Sequence, residues 1–177
     1  LAAALQQVLR DAVFENILVS RPIIPLGKDI GYLPGDKNEK LSVWMQPIYD
    51  NLDYLLHTEK RGESVKRKVD ELIRTGKLEL EALTYIRGRS IPHQFVIIDE
   101  AQNLTPHEVK TIVSRAGEDT KMVLTGDPEQ IDNPYLDASS NGLSYIVERF
   151  KDLPLHGHIT LRKSERSELA AAAAEYL

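Results

Sequence analysis

FVIIDEAQN, residues 95–103, is the stretch on which the fold turns. Four apolar residues, Phe95 to Ile98, run without interruption into two carboxylates, Asp99 and Glu100. An unbroken apolar run of this length reads as a strand buried on both faces, as in a parallel sheet, and not as a half-solvated one. Its charged exit delivers two acids to the carboxyl end of that strand, which is where open α/β sheets bind ligands. In a nucleotide-hydrolysing protein, acids so placed would hold magnesium and activate water.

Working outward from this strand, Thr105, Pro106 and Glu108 give three agreeing signals for a helix start. Threonine caps, proline fits the first helical position, and glutamate reaches back to close a capping box. This helix is expected to run to about Gly117, and KMVLT, 121–125, to form the next buried strand. Upstream, 15–20 and 82–87 read as strands, 41–56 as a helix bent at Pro47, and 64–74 as a helix stopped by Gly76. In that last helix Val65, Val69, Leu72 and Ile73 share one face. Downstream, 142–150 reads as a helix, 158–161 as a short strand, and a final helix starts at Ser164. The polar run 57–68, HTEKRGESVKRK, reads as an insertion. Strands alternating with helices imply parallel crossovers, hence an α/β fold with a mostly parallel sheet covered on both faces.

Composition narrows the classes. The 177 residues are 42% hydrophobic and 28% charged, ordinary for one globular domain spanning 1–177. No apolar run approaches the ~20 residues that span a bilayer, and LAAALQQVLRD at the start lacks a signal peptide's basic region. No cysteine is present, which rules out disulfides, thiolate metal sites and a cysteine nucleophile, and fits a cytoplasmic protein. The net charge of −5 gives no global pull on nucleic acid, so any such contact has to be a local patch. His156 and His158 form an H-x-H pair with no third ligand nearby, which is not read as a metal site.

Three strand ends carry polar residues. Asp99 and Glu100 follow one, Gly126, Asp127 and Gln130 follow the strand at 121–125, and Ser20, Arg21 and Pro22 follow the strand at 15–20. Each piece alone has an ordinary reading: a solvated strand exit, a turn, a structural arginine. Together they load one sheet edge as a site.

The whole chain resembles the PhoH-like ATPases, relatives of the superfamily 1 helicase core. SRPIIPLGKDIGYLPGD resembles the family's segment after its second strand, YIRGRSI the segment before its Walker B strand, and VIIDEAQNLTPHEVKTIVSR that strand and the helix after it. TGDPEQIDNPYLDASSNGL is similar to motif III with its family-specific extension, and ITLRKSERSELAAAAAEYL to the C-terminal arginine motif. The long extension and the SERSELA ending are most similar to the branch in which a PIN-type nuclease domain is often fused upstream. No single motif is specific; the set is.

The resemblance implies a RecA-like P-loop NTPase core that binds ATP and Mg2+. Asp99 would hold magnesium through a water, Glu100 would orient or deprotonate the attacking water, and Gln130 would contact the γ-phosphate or that water. Asp127 would support the loop, and Arg166, or failing it Arg162, would stabilise charge from the same or a neighbouring subunit of a ring-like homo-oligomer. Arg166 also has an ordinary reading, as a helix-surface arginine beside Glu165 and Glu168. Arg21, Arg87 and Arg89 would contact RNA or single-stranded DNA. Lys66 to Lys68 read as a solvated helix face, and Trp44 and Tyr49, at helical spacing beside Val43 and Ile48, as core.

One departure is large. The family's G-x-x-x-x-G-K-[ST] loop is absent: Gly27-Lys28 is followed by Asp29 and Gly76-Lys77 by Leu78. LAAALQQVL resembles the alanine-rich helix that follows that loop. The phosphate loop and its strand are therefore expected upstream of Leu1, and the 177 residues alone are expected not to hydrolyse ATP. The function read from the sequence is an ATPase coupled to remodelling of RNA or single-stranded DNA. Its alternatives are an oligomeric ATPase switch without unwinding, and a non-catalytic interaction module.

Overall fold

The computed structural model describes residues 1–23, 43–56, 65–86, 88–161, 167–169, 172 and 176. Arg87, Arg162, Arg166, the Gly27-Lys28 pair and Lys60 and Arg61 of the polar insertion lie outside them. The described chain forms two compact units, Leu1–Ile146 and Val147–Leu177.

The first unit is α/β. Its sheet has four parallel strands in the order β2-β1-β3-β4, with β1 Asn16–Arg21, β2 Leu78–Ala82, β3 Gln94–Ile98 and β4 Lys121–Leu124. The two central strands are the most apolar: Ile17 to Val19 and Phe95 to Ile98 are buried throughout, as a strand covered on both faces requires. Alternation sends Ile17, Val19, Leu78, Phe95 and Ile97 to one face, where they share a core with Ala4, Leu5, Val8, Met45, Ile48, Leu52 and Val69.

The helices on that face follow from their spacing. Ala2–Leu5 (α1) runs on as a π-helical turn, Gln6–Arg10, and buries Ala4, Leu5 and Val8. Gln46–Leu56 (α2) buries Ile48 and Leu52, four residues apart on one stripe. Val43 and Trp44 are also helical, but a turn at Met45 interrupts the helix just before its proline, and Pro47 lies in the first turn of the part that follows, where no N–H is needed. Val65–Arg74 (α3) buries Val69 and half-buries Leu72, while Ile73 is exposed. Gly76 stops it with φ +68°, and Lys77 N–H donates to Leu72 O at 2.9 Å, a Schellman closure that favours glycine.

Several boundaries depart from the sequence expectation. The strand expected at 82–87 is at Leu78–Ala82, and Leu83–Tyr85 is a 3₁₀ turn. The segment LELEA alternates: Leu78 and Leu80 join the core, while Glu79 and Glu81 share Arg89 on the other face. Charge on an edge strand hid its strand character. Pro106–Val113 (α4) starts on the expected capping box but ends before Gly117, because Ala116 leaves to bridge Ile91 and Gly117 N–H donates to Ile91 O at 2.9 Å. Gly142–Phe150 (α5) lies at the expected bounds, opened by Asn141 Oδ1 accepting from Ser144 N–H at 2.9 Å. Just before it, the Asp137 carboxyl is held down at about 2 by the Ser139 hydroxyl first, then by the Ser139 and Ser140 amides.

In the second unit no strand forms over 158–161; Ile159 and Leu161 are exposed and the segment has no strand partner among the described residues. Of the final helix, Glu168, Leu169, Ala172 and Tyr176 are described and helical.

Candidate active site

The carboxyl ends of β1, β3 and β4 meet. Backbone pairing continues just past them: Asp99 N–H donates to Ser20 O, Thr125 N–H to Ile98 O and Ala101 N–H to Thr125 O, each at 2.9 Å. Asp99 and Glu100 therefore leave a rigid strand between two others. Glu100 then turns the chain with φ 56° and ψ 39°, a left-handed conformation that costs a residue with a Cβ roughly 1–2 kcal/mol. The turn leads into Ala101–Asn103, a 3₁₀ segment whose three residues are all buried.

Arg21 bridges the two acids. Its Nε lies 3.1 Å from Asp99 Oδ2 and its Nη2 3.0 Å from Glu100 Oε1, with side chains 16%, 26% and 39% exposed for Arg21, Asp99 and Glu100. Nη1 donates to the Trp44 carbonyl oxygen at 2.9 Å. A planar guanidinium can hold three acceptors at once in this way; an ammonium cannot span them. The second Asp99 oxygen, Oδ1, accepts from the Thr125 hydroxyl at 2.8 Å.

Gln102, which the sequence reading passed over, is fully buried and links the acids to the loop after β4. Its Nε2 donates to Glu100 Oε2 at 2.6 Å and to Gln130 O at 2.9 Å, and its Oε1 accepts from Asp127 N–H at 3.2 Å. Gly126 packs so closely that a Cβ there would strike Gln102 Oε1. Asp127 organises the loop: Oδ1 accepts from Glu129 N–H at 3.0 Å and Oδ2 from Gln130 Nε2 at 2.6 Å. Asn103, also buried, fixes the next turn by accepting from the amides of Asp132 and Asn133 at 2.8 and 3.2 Å. The one cue for Gln102 in the sequence is an amide two residues after the acidic exit of a buried strand.

Thus Asp99, Glu100, Asp127 and Gln130 share one connected network, and Arg21 lies inside it. Arg89 goes elsewhere: it sits on Glu81 at 3.0 Å and Glu79 at 3.6 Å on β2. Trp44 is half-buried and, with Arg21, Pro22, Pro47 and Glu100, lines a groove of about 210 Å³. No cluster of three His, Cys, Asp or Glu side chains suited to a metal occurs among the described residues, and His156 and His158 stack at 6.5 Å instead. No helix of the described residues is long and apolar enough to cross a membrane.

The profile of the PhoH-like protein family matches residues 1–176. The chain is 58% identical, over its full length, to the protein PhoH2 of Bacillus subtilis, and 39% identical over its full length to the protein PhoH2 of Mycolicibacterium smegmatis. It is 32% identical over 93% of its length to the protein PhoH of Escherichia coli K12. It spans 39% of the length of the first two and 44% of the third. With a family match across essentially every residue, and with an all-parallel α/β sheet that carries the motifs at its carboxyl edge, the chain belongs to the PhoH-like family.

Proposed function

We propose that these residues form the carboxylate side of an ATP-hydrolysing site. The observation that carries this reading is the convergence of Asp99, Glu100, Thr125 and the 126–130 loop at one edge of a parallel sheet, joined through Arg21 and Gln102.

The donor set suits magnesium. This hard cation takes oxygen ligands, keeps several waters, and is held through one or two carboxylates plus substrate phosphates, not by a dedicated protein cage. Asp99 and the Thr125 hydroxyl supply such oxygens, and the Arg21 guanidinium already lies where the acids call for positive charge. Asp99 would hold the ion through a water. When bound, magnesium supplies charge neutralisation on the β and γ phosphates.

The chain's own residues do the rest. Asp99 is fixed by Thr125 and Arg21, so its charge is oriented before a nucleotide arrives. Glu100 takes the proton of the attacking water, or orients that water in line. Gln102 sets the Glu100 carboxylate and ties it to the backbone of Gln130, so a loop that follows the γ-phosphate shifts the base as well. Asp127 holds that loop in shape. Arg166, or Arg162, stabilises the developing charge, in a homo-oligomeric ring from the neighbouring subunit. A phosphate loop on a further strand supplies the grip on the phosphates; the half-exposed Met122, Val123 and Leu124 of β4 support a strand beyond it.

The finer reading is that hydrolysis drives work on RNA or single-stranded DNA, with contacts from Arg21, Arg87 and Arg89, next to a PIN-type nuclease domain upstream. Of the two that are described, Arg89 is held on Glu79 and Glu81, and Arg21 has the groove beside it.

The test is turnover in the full-length protein. Glu100→Gln keeps size and hydrogen bonding but not the base, so hydrolysis is expected to fall ~10²–10⁴-fold while ATP still binds. Asp99→Asn is expected to lower both magnesium-dependent binding and turnover. Near wild-type hydrolysis by Glu100→Gln ends the proposed mechanism.

A further inference from the structure

Asn103 holds a hydrogen-bond donor that the fold does not use. The residue is 4% exposed, and its Oδ1 accepts from the amides of Asp132 and Asn133 at 2.8 and 3.2 Å. Two backbone donors on one oxygen fix which way the side-chain amide faces, because a flip would set N–H against N–H. Nδ2 is left with two N–H groups that meet no acceptor among the described residues. It is not sealed in either: the described side-chain atoms that are both enclosed and unpartnered belong to Asn16, Gln94 and Arg115. Asn103 lines two cavities, and its free donors open there.

The two cavities, of about 210 and 170 Å³, share Pro22 and Asn103. Val43, Trp44 and Pro47 give the first an apolar and aromatic wall. Ile23, Leu83 and Leu104 do the same for the second. The result is one trough with an apolar cavity on each side of a fixed donor. Its charge is acidic: Glu100 and Asp132 line the first cavity and Glu108 the second. The Arg21 guanidinium in the first is already taken up by Asp99 and Glu100. Asp132 is exposed, and only its backbone N–H is engaged among the described residues.

We infer that this trough binds an extended peptide segment of a partner protein, with a backbone carbonyl on Asn103 Nδ2, an apolar side chain or proline in each cavity, and a cationic side chain at Asp132. A peptide sets carbonyls between apolar side chains as its regular repeat, which is the order of groups the trough calls for. A wall of tryptophan and prolines suits the polyproline II form, which loses little entropy on binding. The acids select against a polyanionic strand, which would bring one negative charge per nucleotide. They select for a single cation on the peptide instead. The trough borders Glu100 but uses none of its chemistry, so this site does not rest on the ATPase reading.

The test uses the full-length protein and fluorescein-labelled nonapeptides of proline and leucine that carry one arginine at each position in turn. A matched set carries citrulline, the uncharged isostere, in place of arginine. Fluorescence anisotropy reads affinity. Wild type is expected to bind at least one arginine peptide saturably and to prefer it to its citrulline twin by about 2–5-fold, the worth of an exposed ion pair. Asp132→Asn keeps the amide that Asn103 holds and removes the charge. The preference then falls to about one, while the citrulline peptide binds as before. Asn103→Asp keeps the oxygen that both amides need and turns the donor into an acceptor. With the citrulline peptide, on which the new charge has no pull, affinity is expected to drop at least ~10-fold. Asp132→Asn alters an exposed carboxylate and gives an answer even where Asn103→Asp does not fold.

The peptide site is overturned if no arginine peptide binds wild type saturably up to about 1 mM. It is overturned as well if both variants bind both peptides as wild type does. Displacement of a bound peptide by oligouridine would also overturn it and give the trough to a nucleic acid strand.

Discussion

Gln102 has two polar atoms and meets three partners with them: Glu100, Gln130 and Asp127. Gln102 itself is fully buried and its three contacts are part-buried, so water can replace them only in part when the side chain is removed. Gln102→Ala is therefore expected to lower stability by roughly 1–3 kcal/mol, the cost of leaving part-buried partners unsatisfied and a void where the side chain was. Gly126→Ala is expected to be destabilising too, since its new Cβ meets Gln102 Oε1. The two changes act on one atom, so they should not add. In the Gln102→Ala background, Gly126→Ala is expected to cost less than it does alone. Urea unfolding of both single variants and the double variant measures this cycle; strict additivity would show that the close approach of Gly126 to Gln102 is unimportant.

At the scale of elements, α4 shows what local sequence can and cannot carry. Its start is complete within four residues: the Thr105 hydroxyl accepts from Glu108 N–H at 3.2 Å, and Thr105 N–H donates to Glu108 Oε2 at 3.0 Å. Thr105→Ala is expected to cost about 1 kcal/mol, while Thr105→Ser, which keeps the oxygen, costs little; thermal unfolding of the pair checks it. A capping box is legible because all its atoms lie within one turn. The strands β1, β3 and β4 and the charged residues at their ends were legible for a similar reason, as each is one apolar run with a charged exit, although β4 is half-buried and not buried as expected. The end of α4 was not, because Ile91 draws Ala116 into a bridge from 25 residues away, a distance read by subtraction along the chain. The true β2 was missed because its outward glutamates are satisfied by Arg89, which no propensity reveals. Arg21 was placed at the correct edge, but its inward turn depends on Glu100, 79 residues on.

For the molecule as a whole, the sheet poses the remaining question at β4. Residues of β1 and β3 are buried nearly throughout, whereas Met122, Val123 and Leu124 are only half-buried although they are as apolar. Parallel strands bond to each neighbour through alternate residues. Thr125 N–H donates to Ile98 O, and Ala101 N–H donates to Thr125 O, so odd-numbered residues of β4 face β3. Met122 and Leu124 then direct their N–H and C=O groups away from it. An apolar edge with no partner strand among the described residues is a site for further pairing, and natural sheets usually blunt or cover such edges. The proposed phosphate-loop strand would cover it and would bring the phosphate grip next to Asp99. In the full-length protein, the amides of Met122 and Leu124 are therefore expected to resist hydrogen exchange about as strongly as those of Val96 and Ile98 at the sheet centre. Exchange at the rate of an open edge, with the centre protected, would mean that no strand pairs there and that the phosphates, if they bind, are gripped from somewhere else.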